Sequence, residues 1–127
     1  GLYDGYDREL GSSYEIARTI DIPVVLVVDA KSAAYSMAAL ISGFVNFRKD
    51  IRFAGIIFNK VGSERHYQML RQVCDDLGIT CLGYLPKSAD LEQGSRYLGL
   101  DFSDTTDNNH ILELIEENIK WLELLKL

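Results

Sequence analysis

Cysteine, proline and tryptophan are scarce in this sequence: of 127 residues, two are Cys, two are Pro and one is Trp. Cys74 and Cys81 are too few and too poorly spaced for a disulfide framework or a zinc knuckle. Positive charge is also short, with 13 Lys and Arg against 19 Asp and Glu and a net charge of −6. That balance lacks the clustered cations needed to neutralise a phosphate backbone, so no nucleic-acid partner is expected. No apolar run approaches the roughly 18 residues of a membrane span, so no membrane partner is expected either. No charged-then-apolar leader is visible, and a reducing cytoplasm is the expected location. What is present, 47% hydrophobic and 25% charged residues, is the balance of a globular chain. The length fits one domain. The chain opens on Gly1, within the turn-like string 1–7, which predicts a piece of a longer protein.

Residues 23–28 read Pro-Val-Val-Leu-Val-Val, a β-branched run that predicts a strand covered on both faces and ending at Asp29. Over 32–47, Ala34, Met37, Ala38, Ile41, Phe44 and Val45 recur at steps of three and four, the stripe of one helix face. Residues 54–58 form a second buried strand that ends at Asn59-Lys60. Ser63 can cap a helix running to Leu77, with Tyr67, Leu70, Val73, Cys74 and Leu77 inward and Gly78 as its stop. Residues 80–85 form a third strand, ended by Pro86. A short helix is expected over 13–20, another over 90–96, polar turns over 102–109 and an amphipathic helix over 111–125. Apolar strands alternating with helices give a parallel sheet with right-handed crossovers. The fold class is therefore α/β, a three-layer, mostly parallel sheet flanked by helices.

Ligands bind such sheets beyond the carboxyl ends of the strands. That rule points to 29–31, 59–62 and 86–88. Asn59 can offer a donor and an acceptor to a purine edge, or simply suit a turn. Lys60 and Lys87 can face phosphate or water. No G-x-x-x-x-G-K-S/T loop is present, since Gly11-Ser12-Ser13 and Gly62-Ser63-Glu64 lack the lysine and the second glycine. The opening Gly1-Leu2-Tyr3-Asp4-Gly5 sets a carboxylate between glycines that permit close backbone approach. A solvated terminus explains the same residues. His66 and His110 have no triad partners nearby and suit capping or surface positions, and Cys74 and Cys81 suit small buried hydrophobes.

Several of these segments together resemble the cobyrinic acid a,c-diamide synthase family, in its N-terminal ATP-binding domain. The opening Gly1-Leu2-Tyr3-Asp4-Gly5 is similar to the end of the family's E-G-x-M-G-L-F/Y-D-G. Residues 11–17 and 22–30 are similar to G-S-T-A-E-I/V-A and to its P-V-V/I-L-V-V/L-D-A strand. The most specific match is 54–67, Ala-Gly-Ile-Ile-Phe-Asn-Lys-Val-Gly-Ser-Glu-Arg-His-Tyr. Residues 82–86 and 96–100 match G-Y/W-L/I-P and R-H-L-G-L, with Tyr97 in place of the His.

The resemblance implies a P-loop NTPase-like, dethiobiotin-synthetase-like partial domain over 1–127. It implies an amidoligase that uses MgATP to convert the a and c acetate carboxylates of a corrinoid into acyl phosphates, then amides. Ammonia would come from glutamine. Asp4 matches a residue beside the acceptor carboxylate, and Tyr3 and Gly5 flank it as substrate-binding positions. Asn59 matches the adenine reader, with Lys60 and Pro86 beside it as cofactor-binding positions. No metal ligand is expected in the chain itself, because the P-loop and its magnesium ligand would lie upstream of Gly1. The chain alone is expected to bind MgATP weakly, if at all, and to catalyse nothing. A homodimer through exposed strand edges is an open expectation. The alternative is a non-catalytic or regulatory module of the P-loop partitioning and maturation ATPases.

Overall fold

In a computed structural model, residues 1–88, 95–96, 99–100 and 108–120 are described. Helix α1 covers Ser13–Ile20, with Ser12 accepting from the Glu15 N–H at 3.3 Å and Asp21 closing the helix in the left-handed region. The Glu15 carboxylate accepts in return from the Gly11 N–H, a reciprocal cap of the helix start. Strand β1 is Val24–Asp29, α2 is Met37–Phe47, β2 is Phe53–Val61, α3 is Glu64–Leu77 and β3 is Cys81–Pro86. The sheet order β1-β2-β3 is parallel throughout, with Asp29 opposite Asn59 and Val61 opposite Pro86. Stepping the same way twice with right-handed crossovers puts α2 and α3 on one face of the sheet. There Leu26, Val28, Ile56 and Phe58 meet Met37 and Ile41 of α2 and Leu70, Val73 and Cys74 of α3. Short strands β4, Ser95–Arg96, and β5, Gly99–Leu100, form an antiparallel pair, and α4 spans Asn108–Asn118.

Several expectations need correction. Among the described residues the first strand has unequal faces rather than two covered ones: Leu26 and Val28 point into the core, whereas Val27 is 57% exposed on the other side. The second helix begins at Met37, not at 32, because Ser32 takes φ +58 and 33–39 descend through i→i+3 bonds before the α-helix sets in. Ser95 and Arg96 are strand rather than helix, while 89–94 lie outside the described residues. Of the turns expected over 102–109, Asn108 and Asn109 instead open α4 and 102–107 lie outside the described residues; of the helix expected over 111–125, α4 ends at Asn118, Ile119 bridges Gly83, and 121–125 lie outside.

The free edge of β3 is covered. Ile119 bridges Gly83 in antiparallel fashion, and the Lys120 N–H donates to the Leu82 carbonyl at 2.7 Å. Edge backbone groups left bare recruit other chains, and this short strap blocks that approach. It leaves the carboxyl ends of all three strands facing the same rim.

Candidate functional site

Backbone hydrogen bonds tie the rim together. The Ala30 N–H donates to the Asn59 carbonyl at 2.9 Å, and the Lys87 N–H to the Val61 carbonyl at 2.8 Å. The three loops that leave the sheet are therefore fixed at their roots. Between them lies a cavity of about 470 Å³ lined by Lys31, Ser32, Ala34, Lys60, Ser63, His66 and Lys87, among others.

Two non-glycine residues lining it, Ser32 at φ +58 and Lys60 at φ +59, hold left-handed backbone. Such conformations persist only where the surroundings impose them, and they concentrate at functional sites. At Lys60 the imposing groups are visible. Its N–H donates to Asn59 Oδ1 at 2.9 Å, and its Nζ lies 3.3 Å from Asp29 Oδ2. The other Asp29 oxygen accepts from the Lys31 N–H at 2.9 Å. That bond first, with Lys60 behind it, holds the Asp29 carboxyl below its ordinary range despite some burial. Among the described residues Lys31 and Lys87 form no ion pair within 4 Å, and Asp29 is the carboxylate whose charge reaches Lys31 and Lys60.

His66 joins two of the loops. Its Nδ1 accepts from the Gly62 N–H at 3.0 Å, and its Nε2 bonds the Ala33 carbonyl. A carbonyl can only accept, so Nε2 carries the proton and the ring is the neutral Nε2–H tautomer. Ser63 caps α3 just beneath, accepting from the His66 N–H at 3.1 Å. A surface or capping role was expected for this histidine. Its role as a clamp is visible only in three dimensions, although the Ser63-x-x-His66 spacing held the clue.

The expected site residues divide into two groups. Asn59, Lys60 and Pro86 share the rim with Asp29 and Lys87. Asn59 Oδ1 accepts from the Lys60 N–H, which orients the amide and leaves Nδ2 and the second lone pair of the oxygen for a ligand. Asp4 and Tyr3 line a second cavity of about 460 Å³ against α2, with Leu40, Phe44 and Phe47. There Tyr3 is a packing residue. Its hydroxyl donates to the Phe44 carbonyl at 2.6 Å, and its ring meets Tyr14, Phe44 and Phe47. Gly5 closes a tight hairpin, where a Cβ would overlap the Leu10 carbonyl oxygen. Asp4 is 86% exposed and sits 3.0 Å from the terminal ammonium. The structure thus does not bring Asp4, Tyr3 or Gly5 to the cavity that holds Lys60. Among the described residues no three of His, Cys, Asp and Glu gather into a metal-binding group. No helix among them is long and apolar enough to cross a membrane.

The family described as AAA domain matches residues 4–95. Over 102 residues, or 79% of this chain, the sequence is 54% identical to the cobyrinate a,c-diamide synthase of Caldanaerobacter subterraneus. It is 51% identical over 100 residues to the hydrogenobyrinate a,c-diamide synthase of Brucella anthropi, again 79% of the chain. Against the enzyme of that name from Mycobacterium tuberculosis it is 50% identical over 106 residues, also 79% of the chain. The chain spans 23% of the length of each of these relatives. No solved structure matches.

Proposed function

The chain belongs to the AAA domain family, and from that membership we propose that it forms part of the nucleotide site of an ATP-driven amidoligase. The reaction proposed is amidation of the a and c acetate carboxylates of cobyrinic acid or hydrogenobyrinic acid, the substrates in the names of its relatives. Ammonia from glutamine is the proposed nitrogen source. Magnesium would come with the nucleotide, since the described residues offer it no cluster of ligands. ATP supplies the phosphoryl group that turns a carboxylate oxygen into a leaving group, as an acyl phosphate.

The observation that carries this reading is the rim cavity, where Lys31, Lys60 and Lys87 converge beside the Asn59 amide. The donor set fits a nucleotide. Asn59 Nδ2 donates to a ring nitrogen of the base, and the lysines draw in the phosphates. Pro86 ends β3 so that Lys87 turns back onto Val61. His66 bonds both walls, which holds the loops that carry Lys31 and Lys60 in place before a ligand arrives. Asp4, exposed at the edge of the second cavity, is assigned to the acceptor end.

The test is an amidation assay on the protein that carries this segment, supplied with cobyrinate or hydrogenobyrinate, MgATP and ammonium. ADP formed in step with the diamide is expected. ATP hydrolysis without amide, or no turnover at all, overturns the proposal. In the same assay Asn59→Ala is expected to raise the KM for ATP about tenfold with little change in kcat, the cost of one lost ligand hydrogen bond.

A further inference from the structure

The turn that follows β1, residues 30–36, carries Lys31 and the left-handed Ser32 to the rim cavity. Its entry is tied to β2, where the Ala30 N–H donates to the Asn59 carbonyl at 2.9 Å. Asp29 steadies the next residue by accepting from the Lys31 N–H at 2.9 Å. Within the turn the Ala33 N–H donates back to the Ala30 carbonyl at 3.2 Å, so residues 30–33 form one closed unit. The His66 ring joins the exit of that unit to α3, through the Ala33 carbonyl.

The ring is itself locked at the start of α3. Ser63 accepts from the His66 N–H at 3.1 Å, and His66 Nδ1 accepts from the Gly62 N–H at 3.0 Å. A glutamine or glutamate at this third helical position reaches back to the chain before the helix in a similar manner. Neither of those side chains could make the second bond at the same time. Each carries its polar atoms on a single terminal carbon, whereas the imidazole holds two nitrogens on separate edges of a rigid ring. One edge closes the start of α3 and the other holds Ala33. Helix capping alone needs no histidine here, but joining the two loops does.

The joined pieces differ in what they carry. Asn59 is fixed by the pairing of β2 with β1, and its amide is oriented by the Lys60 N–H, so neither depends on His66. Lys31 and Ser32 sit on the turn instead. A cation on a fixed backbone loses less freedom on binding an anion than one on a loose loop. Given the reading of the rim cavity as a nucleotide site, on which this rests, we propose that His66 is the positioning residue for the phosphate end of the nucleotide. Its neutral ring splices the turn after β1 to the start of α3 and holds Lys31 and Ser32 against the phosphate chain, while β2 alone sets the base end.

The test is calorimetry on the protein that carries this segment. Inorganic tripolyphosphate and adenosine probe the two ends separately, and MgATP is the whole ligand. His66→Gln keeps the reach-back that starts α3 and loses the bond to Ala33. It is expected to weaken tripolyphosphate and MgATP about tenfold and to leave adenosine unchanged. Made in a Lys31→Ala background, the same substitution is expected to cost little further, because the two residues act as one unit. Equal weakening of adenosine and tripolyphosphate, or no weakening of either, overturns the proposal and leaves the nucleotide site standing. No binding of MgATP by the wild type overturns both. Heteronuclear NMR of the wild-type ring nitrogens at mildly alkaline pH needs no variant. His66 is expected as the Nε2–H tautomer, and a proton on Nδ1 overturns the proposal even if His66→Gln folds poorly.

Discussion

Asp29 shows how one exposed side chain can organise a rim. Its carboxylate fixes the Lys31 backbone with one oxygen and meets the Lys60 ammonium with the other. Both partners favour the charged form, so its folded-state pKa lies below the unfolded one. The stabilisation from Asp29 is therefore complete above about pH 4 and is lost as pH falls through the native value. Glu9, held by Arg48, and Asp76, held by Tyr35 and Gln72, shift in the same direction and share this acid limb. Thermal melts between about pH 5 and pH 2 should show a shallower acid slope for Asp29→Asn than for the wild type. An unchanged slope would mean that the two contacts add nothing to stability. The residue types at 29, 31 and 60 were readable at strand ends, but the link between them was not. It depends on β1 and β2 pairing in the register that sets Asp29 opposite Asn59.

At the scale of elements, the best-read pieces carry their own end signals. Helix α3 starts after Ser63 and stops at Gly78 because an N-terminal hydroxyl and a left-handed glycine are local devices. Helix α2 has no such start. Ser36 makes no side-chain cap, and the apolar stripe ran backwards into a turn whose left-handed Ser32 no periodicity reveals. Gly83 is the reverse case, a strand glycine whose reason lies far away in sequence. It sits at φ +134, and a Cβ there would overlap the Asn118 carbonyl oxygen. Gly83→Ala is therefore expected to displace the strap at 118–120, at a cost of about 1–3 kcal/mol. Hydrogen exchange would report it. The Lys120 amide, now bonded to Leu82, should lose protection, and full protection in the variant would refute the account.

For the molecule as a whole, the two faces of the sheet are unequal. Phe58 is wholly enclosed between the sheet and its two helices, while Val27 lies open on the other face. Phe58→Ala is expected to lose about 3–5 kcal/mol in urea unfolding, through transfer and cavity terms together. Val27→Thr is expected to stay within about 0.5 kcal/mol of the wild type, as for a surface change. Comparable losses at the two positions would show that Val27 is covered in solution. A second copy seated on that face would also appear as a larger mass in light scattering.

The sequence by itself determined the α/β class, the order and type of the elements through β3, the parallel sheet, the caps of α3, and the polar strand ends at 29, 59 and 86. These follow from periodicity, β-branched runs and capping residues, all of which act over a few neighbouring positions. Tertiary structure alone decided which rim residues meet. It tied Asp29 to Lys60, clamped Ala33 to Gly62 through His66, and placed Tyr3 and Asp4 at a different cavity from Lys60. Those contacts depend on crossover handedness and strand register, which belong to the packed sheet as a whole and leave no mark on a local stretch of chain.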